Sequence, residues 1–472
     1  MIIMSEQSTP SPPAGSSADK LDFKKILPIF IIVLIDLLGL TVIIPLMPLY
    51  ATSFNATPLM IGVIGAAYPI MQFIGAPTLG RLSDRFGRKP VLLISQLGTF
   101  IGFLILGFAN ALWMLLVARV VDGVSGANIS TAQAVISDST TEKNRTQGLG
   151  LIGAAFGLGF VIGPVIAFIS LQASGDNYHL PAFVAAGFSL ISILLTWMWL
   201  PETLEAEKRG KGEDKPSFSM ASLLKALTHP LIGILLILMF AQQIAFGGFE
   251  QLLSLFTLSR LGMNASGNAI IFVFVGIIVV AVQGGLIGPW SRKYGDRKLI
   301  YAGLALLAVG LALTALTPRQ PLPGYSKAGL TAELSASGDF RTHENPTTRS
   351  MTVELPSDSH NGWLGLGWIL AAMIPTAIGG GILQPAINSL ITKRVSHAEV
   401  GGTLGISAAL LSAANAVAPL LGGVLFQFLG PSAPFLLGGL LLGALLFVAL
   451  RTIQPMDPEN LQAGLARSPS GH

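Results

Sequence analysis

Four ionisable side chains fall inside long apolar runs of this chain: Asp36, Arg119, Asp122 and Glu250. A charge at the centre of a bilayer costs roughly 2.5–3.5 kcal/mol on insertion scales, so each of the four is a candidate for function. A carboxyl in a low-dielectric cavity binds a proton more readily than one in water, and it can load and release that proton as access to the cavity changes. Asp36, about 13 Å into the first run at helical rise, and Glu250 both suit that role. The competing reading of Asp36 is a structural carboxyl bonded to the fourth run, with Arg119 as its partner. For Glu250 the chemistry is protonation or cation binding. Arg119 and Asp122 stand three residues apart, on one helical face, and can pair. Arg119 then organises structure, and the pair is either self-neutralised or part of a proton path. Glu250 follows Gly247 and Gly248, where a helix is expected to break, and broken helices line substrate sites.

Charge is densest in GRLSDRFGRKP, Gly80 to Pro90. Arg81, Asp84, Arg85, Arg88 and Lys89 crowd this stretch, whereas the whole chain is only 11% charged. Gly87 supplies a backbone turn that a bulkier residue would resist. Arg85, Arg88 and Lys89 are expected in the aqueous interface. Asp84 stands where the second run leaves lipid, and Asp138, at the end of the fourth run, can pair with Arg85 or Arg88. A plain topological anchor needs the positive charges but no aspartate.

Uncharged polar residues inside the runs outline a cavity: Gln72, Asn128, Gln133, Gln242, Gln243, Gln283, Gln384, Asn388 and Asn415, with Tyr68 and Phe246 beside them. Apolar walls with a few hydrogen-bonding points suit an amphipathic organic molecule.

Composition limits the elements that can position these residues. The chain is 51% hydrophobic with a mean hydropathy of +0.68, whereas a soluble protein is about a quarter charged. Twelve apolar runs lie near 27–50, 59–79, 91–109, 112–137, 148–171, 181–200, 230–256, 268–289, 299–316, 363–391, 401–427 and 432–451. A helical span needs about 20 residues. None of the runs alternates as a barrel strand does, so helices must satisfy the backbone in lipid. Of the 28 Lys and Arg, 22 fall in the tails and in the loops after even-numbered runs, which puts both termini in the cytoplasm. The basic surplus is topological and gives no ground for nucleic-acid binding. Without cysteine there is neither disulfide nor thiol chemistry.

The chain also repeats itself. GPWSRKYGDRK (Gly288–Lys298) echoes the charged stretch, with Gly87 and Gly295 offset by 208. GFVIGPVIA around Pro164 is echoed by NAVAPLLGG around Pro419, offset by 255. A polar insertion at 317–362 accounts for the difference, and its composition predicts a flexible loop rather than a folded cap. The expected organisation is a disordered tail (1–25), a six-helix half (26–200), a linker (201–228), a second six-helix half carrying the insertion (229–452) and a tail (453–472). Repeats flanking a midplane site are the pattern of secondary transporters. Gly153, Gly157, Gly159 and Gly163, followed by Pro164, have small-xxx-small spacing for close helix packing. Gly284, Gly285 and Gly288 are expected to meet them across the seam between the halves.

These motifs resemble those of the major facilitator superfamily. G-x-L-x-D-R-x-G-R-K after the second run resembles its signature loop. LLVARVVDGVSGA resembles the fourth-helix motif, and GAAFGLGFVIGP the fifth-helix motif of the drug/proton antiporter branch. IDLLGLTVIIPLMP resembles the first helix of drug/proton antiporters, and SDRFGRKPVLL and GAAFGLGF are similar to the tetracycline-resistance efflux proteins. The resemblance covers nearly all of the first half and is weaker in the second. It implies that helix 2 faces helix 11, so Asp84 would meet the positive N-terminus of helix 11 at Gly401–Gly402 as a latch. Such a contact is worth roughly 0.3–1 kcal/mol, up to about 2 when partly buried. It also implies an acidic residue on helix 9 and a His on helix 8 for tetracycline; runs 299–316 and 268–289 contain neither.

The expectation is an all-α, multi-pass protein of the plasma (inner) membrane that exports amphipathic organic compounds in exchange for protons. The alternatives are a proton-coupled importer of a small metabolite, or a non-transporting receptor or lipid-handling protein on the same fold. Its partners are a small organic substrate, protons and the lipid bilayer, and it is expected to be monomeric. No cofactor, metal or enzymatic activity is expected: the sequence has no G-x-x-x-x-G-K-S/T loop, no metal cluster and no catalytic triad.

Overall fold

The computed structural model describes residues 23–126, 128–140, 145–204, 207, 209, 220–338, 353–358, 361–395 and 400–453. The two expected tails lie almost wholly outside these residues, as do much of the linker and the middle of the insertion.

Every regular element among the described residues is a helix. The first half contains α1 (Phe23–Ile43), α2 (Met47–Ser53), α3 (Pro58–Phe86), α4 (Arg88–Gly107), α5 (Leu112–Ser125), α6 (Asn128–Asp138), α7 (Arg145–Ser174) and α8 (His179–Trp199). After α9 (Met220–Leu227) come α10 (Gly233–Leu261), α11 (Ala265–Ala281), α12 (Ile287–Tyr294), α13 (Asp296–Ala315), α14 (Lys327–Gly338), α15 (Leu364–Thr392), α16 (Val400–Leu429) and α17 (Ala433–Thr452). A π-helical turn, Val282–Leu286, joins α11 to α12.

Among the described residues, eleven helical segments are long and apolar enough to cross a membrane, with α11 through α12 counting as one. The fourth run was expected as a single span. It is instead two shorter helices, α5 and α6, with Gly126 in a turn directly after α5. A Cβ on Gly126 would crowd the Tyr68 hydroxyl and the Asp122 carbonyl. Local signals set other ends. Thr57 caps α3 by accepting from the Met60 amide at 3.3 Å, with Pro58 in the first turn. Gly87 ends α3 at φ +107°, and Gly295 ends α12 at φ +79°, conformations that L side chains resist.

The halves meet where α3 packs on α16 and α7 on α11. Their tightest approaches lie on one face, here called the insertion face. A Cβ on Gly62 would run into the Pro419 carbonyl, and one on Gly276 would sit 2.8 Å from the Phe160 carbonyl. On the opposite face, which carries the Gly87 and Gly295 turns, Gly80, Gly284, Gly285 and Gly405 have open space where a Cβ would stand. The halves are therefore in close contact on the insertion face.

The insertion departs from the expected flexible loop. Residues 327–338 form α14, whose Leu330 and Leu334 are buried as the helix packs on α2. Burying apolar leucines compensates for the cost of ordering a short polar segment, a gain that composition alone did not reveal.

Candidate functional site

A cavity of about 560 Å³ lies between the halves. Its walls are largely apolar, with Phe156, Phe160, Phe246 and Phe272 among the lining residues. Gln72, Gln242, Gln243, Gln283, Gln384, Asn388 and Asn415 also line it, as the sequence led us to expect. Gln243 Nε2 donates to Asn415 Oδ1 at 2.8 Å, linking α10 to α16. Gln384 and Asn388 stand one turn apart on α15. Gln133 departs from expectation: it is exposed and outside the lining, because α6 turns Ile129 to the cavity instead. The side chain of Asn128 lies outside the described residues, as does the packing around Gly153.

Two charged residues are on the described cavity wall, Arg119 from the first half and Glu250 from the second. Arg119 is buried, pairs with Asp122 at 3.1 Å and stacks on the Tyr68 ring, 4.6 Å from its centroid. Gln72 Nε2 donates to Tyr68 Oη at 3.2 Å and to the Gly126 carbonyl at 2.9 Å, so the turn after α5 orients the cluster. Asp36 is half-buried on α1, one turn from the lining residue Leu40. It acts on the Tyr68 phenol together with Asp122 and Arg119. Glu250 has no hydrogen bond or ion pair among the described residues. The helix does not break beside it, as expected from Gly247 and Gly248, but runs unbroken from Gly233 to Leu261. The two glycines instead let α16 approach: a Cβ on Gly247 would lie 3.2 Å from that of Ala418.

At the motif face Arg88 is buried rather than held in interfacial water. It pairs with Asp84 at 2.6 Å and with Asp138 at 3.0 Å, and donates to Ser83 Oγ at 2.8 Å. Arg85 stays exposed and stacks on Phe86; Lys89 donates to the Trp197 carbonyl at 2.8 Å. The sequence reading missed Glu202, in the Pro-Glu-Thr that follows α8. It accepts from the Arg88 amide at 2.9 Å and the Lys89 amide at 3.3 Å, and so caps α4 where its dipole favours an anion. An acidic residue directly after an apolar run was the available signal.

The second half repeats this bracket with the charges exchanged. Adding the offsets of 208 and 255 to Arg88 and Asp138 gives Asp296 and Lys393, which pair at 2.6 Å. Ser291, the counterpart of Ser83, donates to Asp296, as does Ser389 at 2.7 Å. The ninth span thus begins three residues earlier than expected and does carry a carboxylate. That carboxylate is held at the motif face, away from the cavity wall. The glycine seam is also corrected. Gly159 and Gly163 pack on Thr41 of α1, Gly157 lines the cavity, and α7 meets α11 at Gly276, not at Gly284, Gly285 or Gly288. Pro164 is buried within α7.

The surroundings of Gly401–Gly402, the expected partner of Asp84, lie outside the described residues. Asp84→Asn is expected to weaken closure of the motif face by the worth of one helix-terminus contact, about two- to fivefold in the equilibrium, and to lower flux by a similar factor. Labelling of cysteines placed along α3, in this cysteine-free chain, measures it; unchanged labelling with full flux would remove Asp84 from the gate.

Comparison with known proteins follows the same lines. The family model described as Major Facilitator Superfamily matches residues 29–332 and 359–469. The chain belongs to that superfamily. Its curated relatives in the superfamily include the tetracycline resistance protein, class B, of Escherichia coli, 27% identical over 84% of this chain and 87% of the relative. Multidrug resistance protein 2 of Bacillus subtilis (strain 168) is 31% identical over 58% of this chain and 69% of the relative. Among solved structures, the human organic anion transporter MFSD10 aligns with a TM-score of 0.59 at 22% identity, covering 90% of this chain and 99% of that one. The superfamily's fold and membrane-spanning character are thus those of this chain.

Proposed function

We propose that the protein exports amphipathic organic compounds across a plasma (inner) membrane in exchange for protons, by alternating access. The observation that carries this reading is the cavity between the halves, with aromatic walls, spaced amides and one charged residue from each half. Tetracycline and multidrug resistance proteins among the relatives support the direction, and the distribution of Lys and Arg supports a cytoplasmic motif face. On this reading a compound enters from that face. Glu250 meets it without a fixed counter-charge and exchanges a proton for it; Asp36, beside the Tyr68–Arg119–Asp122 cluster, is the second carboxyl available to the cycle. Arg119, held by Asp122 and Tyr68, keeps a positive charge on the opposite wall throughout. The test is substrate-driven proton movement in liposomes. Export of a lipophilic dye should carry protons the opposite way; protons moving with substrate would indicate an importer, and binding without flux a receptor.

Tetracycline is expected to be a poor substrate. The α11–α12 span has no histidine, and the one carboxylate of α13, Asp296, is bound to Lys393 outside the cavity, so a metal–tetracycline chelate lacks partners that the resembled exporters use. Cells expressing the gene should gain less than about twofold in tetracycline tolerance, a change of under 0.5 kcal/mol in effective handling. Strong magnesium-dependent resistance would refute this.

A further inference from the structure

The cavity amides divide into two groups. Some are bonded to a neighbouring helix or turn. Gln72 donates to Tyr68 and to the Gly126 carbonyl, and Gln243 to Asn415. Gln283 Nε2 donates at 3.4 Å to the Gly381 carbonyl, which the missing N–H of Pro385 leaves without its helical partner. Gln242, Gln384 and Asn388 line the cavity too, yet their side chains make no hydrogen bond among the described residues. Gln242 is 2% exposed, and its Oε1, like Asn388 Oδ1, is buried without a partner. An amide kept in a span to hold helices together is bonded across their interface. These three are not, and a buried amide left unpaired is costly.

Depth orders these groups along the cavity. The start of α10 and the end of α15 lie together at the motif face, where Arg394 donates to the Leu231 carbonyl at 3.0 Å. At helical rise Gln242 lies about 14 Å along α10 from that end, and Gln384 about 12 Å along α15. The two amides therefore share one level, with Asn388 a turn nearer the motif face. Gln242, Phe246 and Glu250 follow one another at four-residue spacing on one face of α10, and all three line the cavity. Glu250 is thus about 12 Å deeper than Gln242, with the Phe246 ring between them against Gly380 of α15. Gln251, the amide next to Glu250, stands at the α3 seam, where a Cβ on Gly65 would lie 3.2 Å from its Oε1.

We propose that Gln242, Gln384 and Asn388 form a second subsite that selects the substrate by its far end: a basic nitrogen at Glu250, an aromatic ring along Phe246 and, about 12 Å from the nitrogen, an uncharged carboxamide. The nitrogen end rests on the exchange role proposed for Glu250 above. For the far end the chemistry is that of the amides themselves. A side-chain amide offers both a donor and an acceptor, so a ligand carboxamide pairs with it in both directions. A charged group at this level would be buried without a counter-ion, since the charged residues of the described wall are Arg119 and Glu250. A purely apolar group would leave the amides unpaired, and a site built on hydrogen bonds rejects such an analogue more sharply than an apolar wall does. The helix α10 thereby reads the length of a substrate as well as its polarity.

Three probes test this on the full-length chain in nanodiscs, with Kd measured by titration calorimetry. One is a para-aminobutylbenzamide, whose ammonium and carboxamide match the Glu250-to-Gln242 spacing. The second replaces its carboxamide with isopropyl, and the third is a para-aminomethylbenzamide, too short to reach both ends. The first should bind at least about tenfold more tightly than either of the others. Gln242→Leu should reduce that preference to less than about threefold, and Gln384→Leu should act in the same direction. Glu250→Gln should weaken all three probes alike and keep the preference. Equal binding of the first two probes to wild type overturns the subsite, while dye export coupled to protons would leave the proposed function standing. A preference that survives both Gln242→Leu and Gln384→Leu overturns it as well; if one variant does not insert, the other decides. Unchanged affinities in Glu250→Gln overturn the nitrogen end together with the role given to Glu250, and no binding of any probe overturns the whole proposal.

Discussion

Liposomes carrying Glu250→Gln are expected to exchange labelled for unlabelled substrate at near wild-type rates yet fail to build any gradient of substrate against a proton gradient. The amide fills the space of the carboxyl and mimics its protonated form, so the cavity keeps its shape. What is lost is the ability to give up a proton on one side and regain it on the other. A proton gradient supplies about 2.3 kcal/mol per 100 mV for each charge, and a cavity without a titrating group cannot draw on it. Uphill export should therefore fall about fiftyfold, the accumulation ratio that this energy sustains. Asp36→Asn is the comparison. Glu250 is on the cavity wall, whereas Asp36 stands one turn of α1 from it beside the Arg119 cluster, so the smaller loss is expected at Asp36. Normal substrate-driven proton flux in Glu250→Gln with none in Asp36→Asn would reverse the assignment, and normal flux in both would leave the Arg119–Asp122 pair as the carrier.

The second large effect is steric. Gly62→Val should keep the insertion face from closing. A Cβ at Gly62 meets the Pro419 carbonyl, which is backbone within α16 and cannot rotate away, and a Cβ at Gly423 would in return lie 3.2 Å from the Gly62 Cα. Overpacking of this kind costs roughly 1–3 kcal/mol, which shifts the equilibrium toward the state open on the insertion face by about five- to a hundredfold. Flux should fall in proportion, with insertion and binding from that side retained. Gly62→Ala should give the same change at smaller size, and Gly423→Val should reproduce it from the other helix. Distances between labels on α3 and α16 measure the shift. A Gly62→Val protein with wild-type flux and the wild-type closed distance would show that the α3–α16 seam opens without this contact.

Much of this was legible in the sequence, because a bilayer leaves so few choices. Residues that must satisfy their backbone without water form helices, and the spacing of Gly87 and Gly295 exposed the repeat before any contact was known. The cavity polar residues were legible for the same reason: a glutamine or asparagine costs too much in a span unless it faces a partner or a cavity. Reading failed where the answer depended on what stands opposite. Gly247 and Gly248 looked like a break in α10, and the packing of α16 made them a contact instead. Gln133 looked like its neighbours, but α6 turns Ile129 to the cavity and leaves Gln133 exposed. The charge-exchanged bracket of Asp296 and Lys393 was hidden because its members are 97 residues apart and reverse the signs of the first half. The α14 helix was the least visible, since it lies in a polar insertion that composition assigns to a loop. The sequence by itself determined the number and polarity of the apolar segments and the types of residue set among them, because the cost of placing each group in lipid is a local property. Only the tertiary structure decided which carboxyl faces the cavity, which glycine bears a crossing helix and which amides line the cavity without a partner, because those depend on distances between segments that share no sequence neighbourhood.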